Sequence, residues 1–192
     1  MSSTQLDLEY LVGVLRRCGL ISPRQEKIIY KKAPVQQEKL AQICRVKRGG
    51  FSAQSCDAEI TPVDVLASME LEPGEGADGR LDEEAIMRAV AAELGMDFKK
   101  IDPLELDLEF VTQNIPRSFA LKHMVLPVES SLETITVVIY DPFNRQVLED
   151  IERVTQKRVE ALISTKSDII KTISEFYGFK SSIAAADDQM SQ

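Results

Sequence analysis

The chain has 192 residues, of which 44% are apolar, 28% charged and 6% aromatic, and these proportions are typical of a globular protein with one or two small domains. Its 31 acidic residues exceed its 23 basic ones, and the resulting net charge of −8 disfavours a general nucleic-acid binder. The longest apolar run is far shorter than the roughly 20 residues of a membrane span, and the first residues do not resemble a signal peptide. We therefore expect a cytoplasmic protein that does not insert into a membrane.

The charges are strongly segregated along the chain. Residues 16–48 carry ten bases and two acids, a net of +8, whereas residues 57–110 carry sixteen acids and four bases, a net of −12. This segregation predicts that the two parts either attract each other or bind different partners. The basic part could equally be a solvated helix face, or it could be attracted to anionic lipid headgroups.

Helices are predicted for the first third of the chain. Apolar residues recur at the spacing of one helix face over residues 6–18, at Leu8, Leu11, Val12 and Leu15, and Gly19 ends this helix. Residues 22–25, Ser-Pro-Arg-Gln, form a capping box that opens a second helix. We expect Pro34 to interrupt the second helix and residues 45–50 to form a basic loop.

A third helix opens at residues 61–64, Thr-Pro-Val-Asp, which repeats the capping pattern. The domain organisation then follows from a segment rich in Gly, Pro and acidic residues, which predicts a flexible linker. The expected organisation has four parts: a helical N-terminal subdomain at 1–70, the linker at 71–80, an α+β domain at 81–179 and a disordered tail at 180–192.

The pattern after the linker predicts an α+β fold. The expected elements are a helix from Asp82 to Gly95, a short helix after Ile115-Pro116, a hairpin of strands 124–129 and 134–140, a helix over 147–154, a strand over 159–163, and a last helix that starts near Thr165. This order predicts a roughly three-stranded sheet covered by helices.

Few side chains in the sequence could support catalysis or metal binding. The single histidine, His123, excludes sites with paired imidazoles, and we interpret it as a helix-end residue rather than a catalytic base. Asp141 and Asn144 follow a strand, but turn formation and helix capping explain both. The three cysteines lack a C-x-x-C pair and indicate reduced thiols: Cys18, Cys44 and Cys56. No catalytic residue and no metal site is predicted.

Several segments carry a resemblance to a known family, and they occur in its order: 81–96, 100–103, Ile115-Pro116 with Ala120, 126–128, and 137–144, in which an apolar strand precedes Asp-Pro-Phe-Asn. They resemble the N-terminal domain of the assembly ATPases of type II secretion and type IV pili, the GspE/PilB class. The closing helix at 169–177 is also similar, so the resemblance covers roughly residues 60–179. It implies a small α+β domain outside the motor of such an ATPase.

The helical start is similar to the Leu-Gly-x-x-Leu-x-x-x-Gly-x-Ile repeat that opens many members and that implies cyclic-di-GMP binding in MshE-type proteins. The matching residues are Leu11, Leu15, Gly19, Leu20 and Ile21. The chain departs from the repeat at Tyr10 and Val12, where the family has Arg and Gly, and at Glu26, where it has Leu. A Val side chain crowds the approach of a ligand that Gly permits. Cyclic-di-GMP sensing is therefore the alternative function, with Arg16, Arg17 and Arg24 as its candidate nucleotide-binding residues.

The motor of the family is missing from these residues. Residues 74–80 are the glycine-rich stretch that comes nearest to a phosphate loop, but they lack the lysine of G-x-x-x-x-G-K-[ST] and carry acids that repel phosphate. We therefore expect a non-catalytic interaction module, with the ATPase motor as a further partner if the natural chain continues.

The resemblance implies that the module docks to the cytoplasmic part of an inner-membrane platform protein, GspL-like or PilM-like, and so lies at the inner-membrane face. The candidate partner-binding residues are Leu8, Leu11, Leu15, Arg16, Arg17, Leu20 and Ile21. The alternative for the leucines is that they form an ordinary core.

Overall fold

The structure is a computed structural model that describes residues 5–48, 59–73 and 80–190. The chain divides into two compact units, residues 1–97 and residues 98–192, which we call the helical unit and the α+β unit. Among the helices of the described residues, none combines the length and the apolar character needed to cross a bilayer.

Four helices form the described part of the helical unit: α1 (Leu8–Arg17), α2 (Pro23–Arg48), α3 (Pro62–Ala67) and α4 (Glu83–Leu94). Their starts are fixed by side-chain caps, because the first amides of a helix lack intrahelical partners. The Asp7 carboxylate accepts from the Tyr10 amide at 2.8 Å, and the Asp82 carboxylate accepts from the Ala85 amide at 2.8 Å. Gly95, with φ of +64°, ends α4 in the left-handed conformation that favours glycine.

The predicted capping boxes are confirmed. At the start of α2, the Gln25 side-chain oxygen accepts from the Ser22 amide at 2.8 Å, and the Ser22 hydroxyl accepts from the Gln25 amide at 3.3 Å. Thr61 and Asp64 form the same reciprocal pair at the start of α3. Side-chain caps therefore define the starts of the four described helices in this unit through local hydrogen bonds.

The core of the helical unit lies where α1 contacts α3 and α4 and where α2 contacts α3. Its fully buried side chains include Leu11, Leu15, Ile29, Leu66, Ile86 and Val90. Burying each large aliphatic side chain contributes about 1.5–3 kcal/mol. The amphipathic stripe of α1 is therefore part of this core.

Three features of the helical unit differ from the prediction. Residues 45–48, which were expected in a basic loop, continue α2 to Arg48. Pro34 lies inside α2 and does not interrupt it. Proline removes one backbone hydrogen bond, and α2 has ten or more residues on either side of it, with Ile29 and Ala33 buried. The helix α4 belongs to the helical unit, because its buried face contacts α1 and α3, so the units divide after Asp97 and not at residues 71–80. Residues 74–79 of the predicted linker lie outside the described residues.

The described part of the α+β unit contains a short 3-10 turn (Pro103–Glu105), four helices and three strands: α5 (Leu108–Asn114), α6 (Arg117–His123), β1 (Val125–Ser130), β2 (Thr134–Ile139), α7 (Arg145–Thr155), β3 (Arg158–Ile163) and α8 (Lys166–Met190). The α+β class and the three-stranded sheet are confirmed. The helix α8 extends over residues 181–190, which the sequence places in the expected tail, through an alanine-rich segment that favours helix.

The sheet has the order β1-β2-β3. The hairpin pairs β1 with β2 antiparallel, and a bulge interrupts the register of β1 between Pro127 and Glu129. The crossover through α7 places β3 parallel to β2, and Phe98 forms an isolated parallel bridge to Ile163 of β3. The helices α5, α6 and α8 contact β1, and α7 contacts β3. The central strand β2 is therefore the best buried of the three, with Val137 and Val138 fully buried.

Candidate functional site

Three of the predicted partner-binding residues lie in the core of the helical unit. Leu11 and Leu15 are 0% exposed and Ile21 is 1% exposed. Their side chains are covered because the apolar face of α1 packs against other helices of the same unit. These three residues therefore fold the module and do not present a docking surface.

Two predicted arginines are engaged in ion pairs at the surface of the helical unit. The Arg16 Nε lies 3.0 Å from Glu26 Oε2, and its Nη1 donates to the Ile21 carbonyl at 3.2 Å. The Arg17 guanidinium donates to Glu93 through Nε at 2.9 Å and contacts the same carboxylate through Nη2 at 2.7 Å. Both arginines join α1 to a neighbouring helix, whereas Arg24, on the first turn of α2, is exposed.

The remaining apolar candidates are half-buried, and one of them lines a cleft. Leu8 lies with six other residues around a cleft of about 300 Å³, namely Ala33, Gln37, Ile60, Thr61, Pro62 and Val65. Leu20 is not among these residues. Of the predicted residues, Leu8 therefore lies where an incoming side chain could contact it.

The cleft lies between the first turn of α1, the middle of α2 and the start of α3. The capping box of Thr61 and Asp64 fixes the backbone on the α3 side, with the Thr61 amide donating to Asp64 Oδ2 at 2.7 Å. Ala33 is buried, and its small side chain leaves room that a larger residue would fill. Gln37 is exposed at the rim. The cleft can therefore accept an apolar side chain and offer one amide for hydrogen bonding.

An acidic edge lies on α1 and α2 close to Tyr30. Burial raises the pKa of the Tyr30 hydroxyl, and the carboxylates of Glu26, Glu9 and Asp7 raise it further. Tyr30 is nevertheless 42% exposed. This part of the surface therefore presents a neutral phenol beside negative charge.

The sequence does not predict that the other residues lining the cleft form a site. Ala33, Gln37, Ile60 and Pro62 share no motif, and they meet because α2 and α3 pack against each other. The capping box at residues 61–64 was the available signal, since it placed the start of α3. Nothing local in the sequence indicates which part of α2 faces it.

In the α+β unit, the structure gives Asp141 and His123 ordinary local roles. Asp141 Oδ1 accepts from the Phe143 amide at 2.9 Å, and burial raises the pKa of this carboxyl, while the hydrogen bond from Phe143 lowers it. His123 is the last residue of α6, as predicted, and its ring lies 4.5 Å from the ring of Phe119. Burial lowers the pKa of His123, and the adjacent Lys122 lowers it further.

One capping interpretation is wrong. Asn144 occupies the position before α7, but its side chain makes no cap hydrogen bond, and its backbone ψ of 70° is outside the extended range of the other caps. The turn is instead held by the hydrogen bond from the Phe143 amide to Asp141. The N-terminus of α7 therefore depends on Asp141 more than on Asn144.

The described residues also include two cysteines and a second apolar groove. Cys18 is exposed and Cys44 half-buried, no disulfide joins them, and Cys56 lies outside the described residues. Within residues 5–48, 59–73 and 80–190 there is no cluster of three or more metal-binding side chains. An apolar groove of about 350 Å³ lies between α6 and α7, lined in part by Ile115, Phe119 and Val154.

Comparison with known proteins identifies the domain type. Residues 94–183 match the model of the MshEN domain family. The type IV pilus assembly ATPase TfpB of Acinetobacter baylyi is 26% identical over 89 residues, which are 46% of this chain and 15% of that ATPase. The chain thus spans a small part of the curated relative that it matches.

The fold is shared with a solved structure. A structure of MshE with cdg superposes with a TM-score of 0.52 at 16% identity and covers 87% of this chain and 98% of that one. The N-terminal domain of XpsE gives a TM-score of 0.48 at 14% identity, covering 91% of this chain and 97% of that one. The family model and the pilus ATPase thus confirm the resemblance of this chain to the N-terminal domains of GspE/PilB-class ATPases, with residues 94–183 matching the MshEN domain.

Proposed function

We propose that the chain is a non-catalytic interaction module of a secretion or pilus assembly ATPase, and that it docks this ATPase to the cytoplasmic part of an inner-membrane platform protein. The observation that carries the proposal is the open apolar cleft beside Leu8, on a folded helical unit that precedes the MshEN domain in the chain. The platform protein would be GspL-like or PilM-like. The module would then work in the cytoplasm, at the inner-membrane face.

The size and lining of the cleft suit one apolar anchor residue from the partner. The volume of about 300 Å³ includes the open mouth of the cleft, so an anchor side chain would enter only part of the way and contact the apolar lining. Burying such a side chain contributes about 1.5–3 kcal/mol, and central anchors of this kind dominate many interfaces. We infer that Leu8, Ala33 and Pro62 contact the anchor and that Gln37 hydrogen-bonds the partner's backbone.

Filling the cleft tests this docking mode. Gln37→Trp places a large ring over the opening from an exposed position, so the fold is retained while the anchor is excluded. We expect the affinity for the cytoplasmic part of the platform protein to fall at least about tenfold, which corresponds to about 1.4 kcal/mol. Isothermal titration calorimetry with the two purified proteins measures this change.

Gln42→Trp is the matched control for the cleft variant. Gln42 is also exposed on α2, and five residues of helix place it about 140° around the axis from Gln37. This variant should bind the platform protein as the unmodified chain does. Equal affinities of the Gln37→Trp variant and the unmodified chain would show that docking does not use the cleft.

The second candidate function is cyclic-di-GMP sensing, which is supported by the fold that the chain shares with a structure of MshE with cdg. Two of the three candidate arginines, Arg16 and Arg17, are paired with Glu26 and Glu93 in the ligand-free chain. A diguanylate would have to replace these carboxylates with its phosphates. Nucleotide binding would therefore have to break two ion pairs, and Val12 stands where the family repeat has Gly. For these two reasons we rank sensing second to docking.

A calorimetric titration of the chain with cyclic-di-GMP separates the two functions. We expect no binding heat, because two of the three candidate arginines, Arg16 and Arg17, are already paired with carboxylates. A Kd of about 1 µM or below would reverse the ranking. In that case Glu93→Gln, which frees Arg17, should tighten nucleotide binding, whereas Glu105→Gln in the α+β unit should leave it unchanged.

A further inference from the structure

The helix α2 carries an exposed surface that docking at the cleft leaves unused. Three apolar side chains project from it with large exposed fractions: Ile28 with 42%, Val35 with 57% and Ile43 with 51%. Two exposed lysines, Lys32 and Lys39, alternate with them along the sequence. We call these five residues the α2 stripe.

The spacing of the α2 stripe places all five side chains on one line. The steps between successive members are four, three, four and four residues, and side chains three or four residues apart are neighbours on a helix surface. At about 1.5 Å per residue, the stripe extends over roughly 22 Å. It is thus a row along one face of α2 in which apolar and cationic side chains alternate.

The charges around the α2 stripe are mainly positive. Arg24 and Lys31 are exposed and flank it, and Arg45 follows near its end. The acidic residue Glu38 projects about 100° away from its midline. Glu26, the other acid of α2, is paired with Arg16. Within the described residues, Lys32 and Lys39 have no ion pair, so their charges are available to a partner.

The C-terminal half of α2 has little cover from its own unit. None of the side chains of residues 38–45 is buried. Neither the cleft beside Leu8 nor the groove of the α+β unit includes a member of the stripe. The stripe therefore has the positive charge and apolar side chains of a binding surface but lacks a pocket that would recognise a particular side chain.

We propose that the α2 stripe binds the surface of an anionic phospholipid bilayer. A headgroup layer needs no pocket, and it can contact a row of side chains that lies along one face of a helix. The lysines would contact lipid phosphates, and their aliphatic stems would lie along the interface together with the isoleucine and valine side chains. This attraction is local, because the chain as a whole carries a net charge of −8.

Vesicle co-sedimentation with the full chain tests the proposal. The chain should bind vesicles that contain about 30 mol % phosphatidylglycerol in phosphatidylcholine at about 50 mM salt, and binding should be lost near 300 mM salt. It should not bind pure phosphatidylcholine. Absence of binding to the anionic vesicles at low salt would overturn the proposal.

Substitutions locate the binding surface. Lys32→Glu combined with Lys39→Glu should weaken vesicle binding at least about tenfold, and Val35→Ser should weaken it without a change of charge. The matched control is Lys122→Glu combined with Lys171→Glu, which makes the same charge change at exposed positions of the α+β unit. Equal losses from both double variants would show that only net charge matters and would overturn the proposal. Circular dichroism checks that each variant keeps its helix content.

The test also separates the α2 stripe from the proposed docking at the cleft. Gln37→Trp should leave vesicle binding unchanged, and the lysine double variant should leave binding to the platform protein unchanged. The lipid proposal would be overturned if the unmodified chain did not bind vesicles and the lysine double variant no longer bound the platform protein. The α2 stripe would then be a protein-binding surface. If the Gln37→Trp variant binds the platform protein as the unmodified chain does, only docking at the cleft is refuted. The vesicle results still test the α2 stripe.

Discussion

Leu15→Ala is expected to lower the free energy of unfolding of the helical unit by about 2–5 kcal/mol. Leu15 is 0% exposed, on the face of α1 that packs against the other helices of its unit, so the substitution removes buried apolar surface and leaves a cavity. The loss is a large fraction of the stability of a unit this small. Urea unfolding followed by circular dichroism measures it.

Leu20→Ala provides the comparison for this core substitution. Leu20 is half-buried just after α1, and its truncation should cost well under half as much as that of Leu15. If Leu15→Ala keeps the free energy of unfolding of the unmodified chain but no longer binds the platform protein, Leu15 is a docking residue and the position of α1 in the core is wrong. This pair therefore separates folding from binding on a single helix.

A fragment of residues 96–190 is expected to fold by itself, whereas a fragment of residues 81–190 is expected to aggregate. The longer fragment carries α4, whose side chains Ile86, Met87 and Val90 are buried against helices that both fragments lack. Exposed without that cover, they form an apolar patch that promotes association. Size-exclusion chromatography and binding of a hydrophobic dye distinguish the two fragments.

The full chain is the reference for both fragments. The shorter one keeps Phe98, whose bridge to Ile163 closes the edge of β3, and the Lys99 amide that donates to the Ile163 carbonyl at 2.8 Å. Its thermal unfolding should be cooperative. If instead the fragment of residues 81–190 is monomeric and the shorter one unfolded, the boundary lies at the linker expected from composition.

Local signals in the sequence were sufficient for most helix starts and for the hairpin. The capping boxes at Ser22 and Thr61, the Asp82 cap and the terminal Gly95 each act through neighbouring backbone atoms. The run of β-branched residues over 134–139 was likewise enough to place β2. These features are readable because their physical causes lie within a few residues of the chain.

Features that depend on tertiary contacts were missed or misplaced. Pro34 looked like a break, but the packing of Ile29 and Ala33 holds α2 together around it. Helix α5, between Pro103 and Pro116, was not predicted from the sequence, although Asp107 caps it by accepting from the Phe110 amide at 2.9 Å. Assignment of α4 to a unit required knowledge of which helices cover its face, and no sequence pattern states that.

The residues of the candidate site were likewise predicted only in part from the sequence. The sequence indicated that α1 has an apolar stripe and that α2 is basic, but it could not separate Leu8 at the cleft from Leu11 and Leu15 in the core. All three have the same side chain at helical spacing. Their different roles arise from the distance of each to α2, α3 and α4.

The edges of the sheet restrict how this module can meet other proteins. Pro127 gives β1 one position without an amide donor, and the bulge beside it twists the strand. At the opposite edge, Phe98 already pairs with the end of β3, and Arg158 and Glu160 place charges along the rest. Incoming strands are thus discouraged on both sides. Even where many copies gather, the sheet should neither polymerise nor recruit foreign strands, which leaves helices as the surfaces through which assemblies are built.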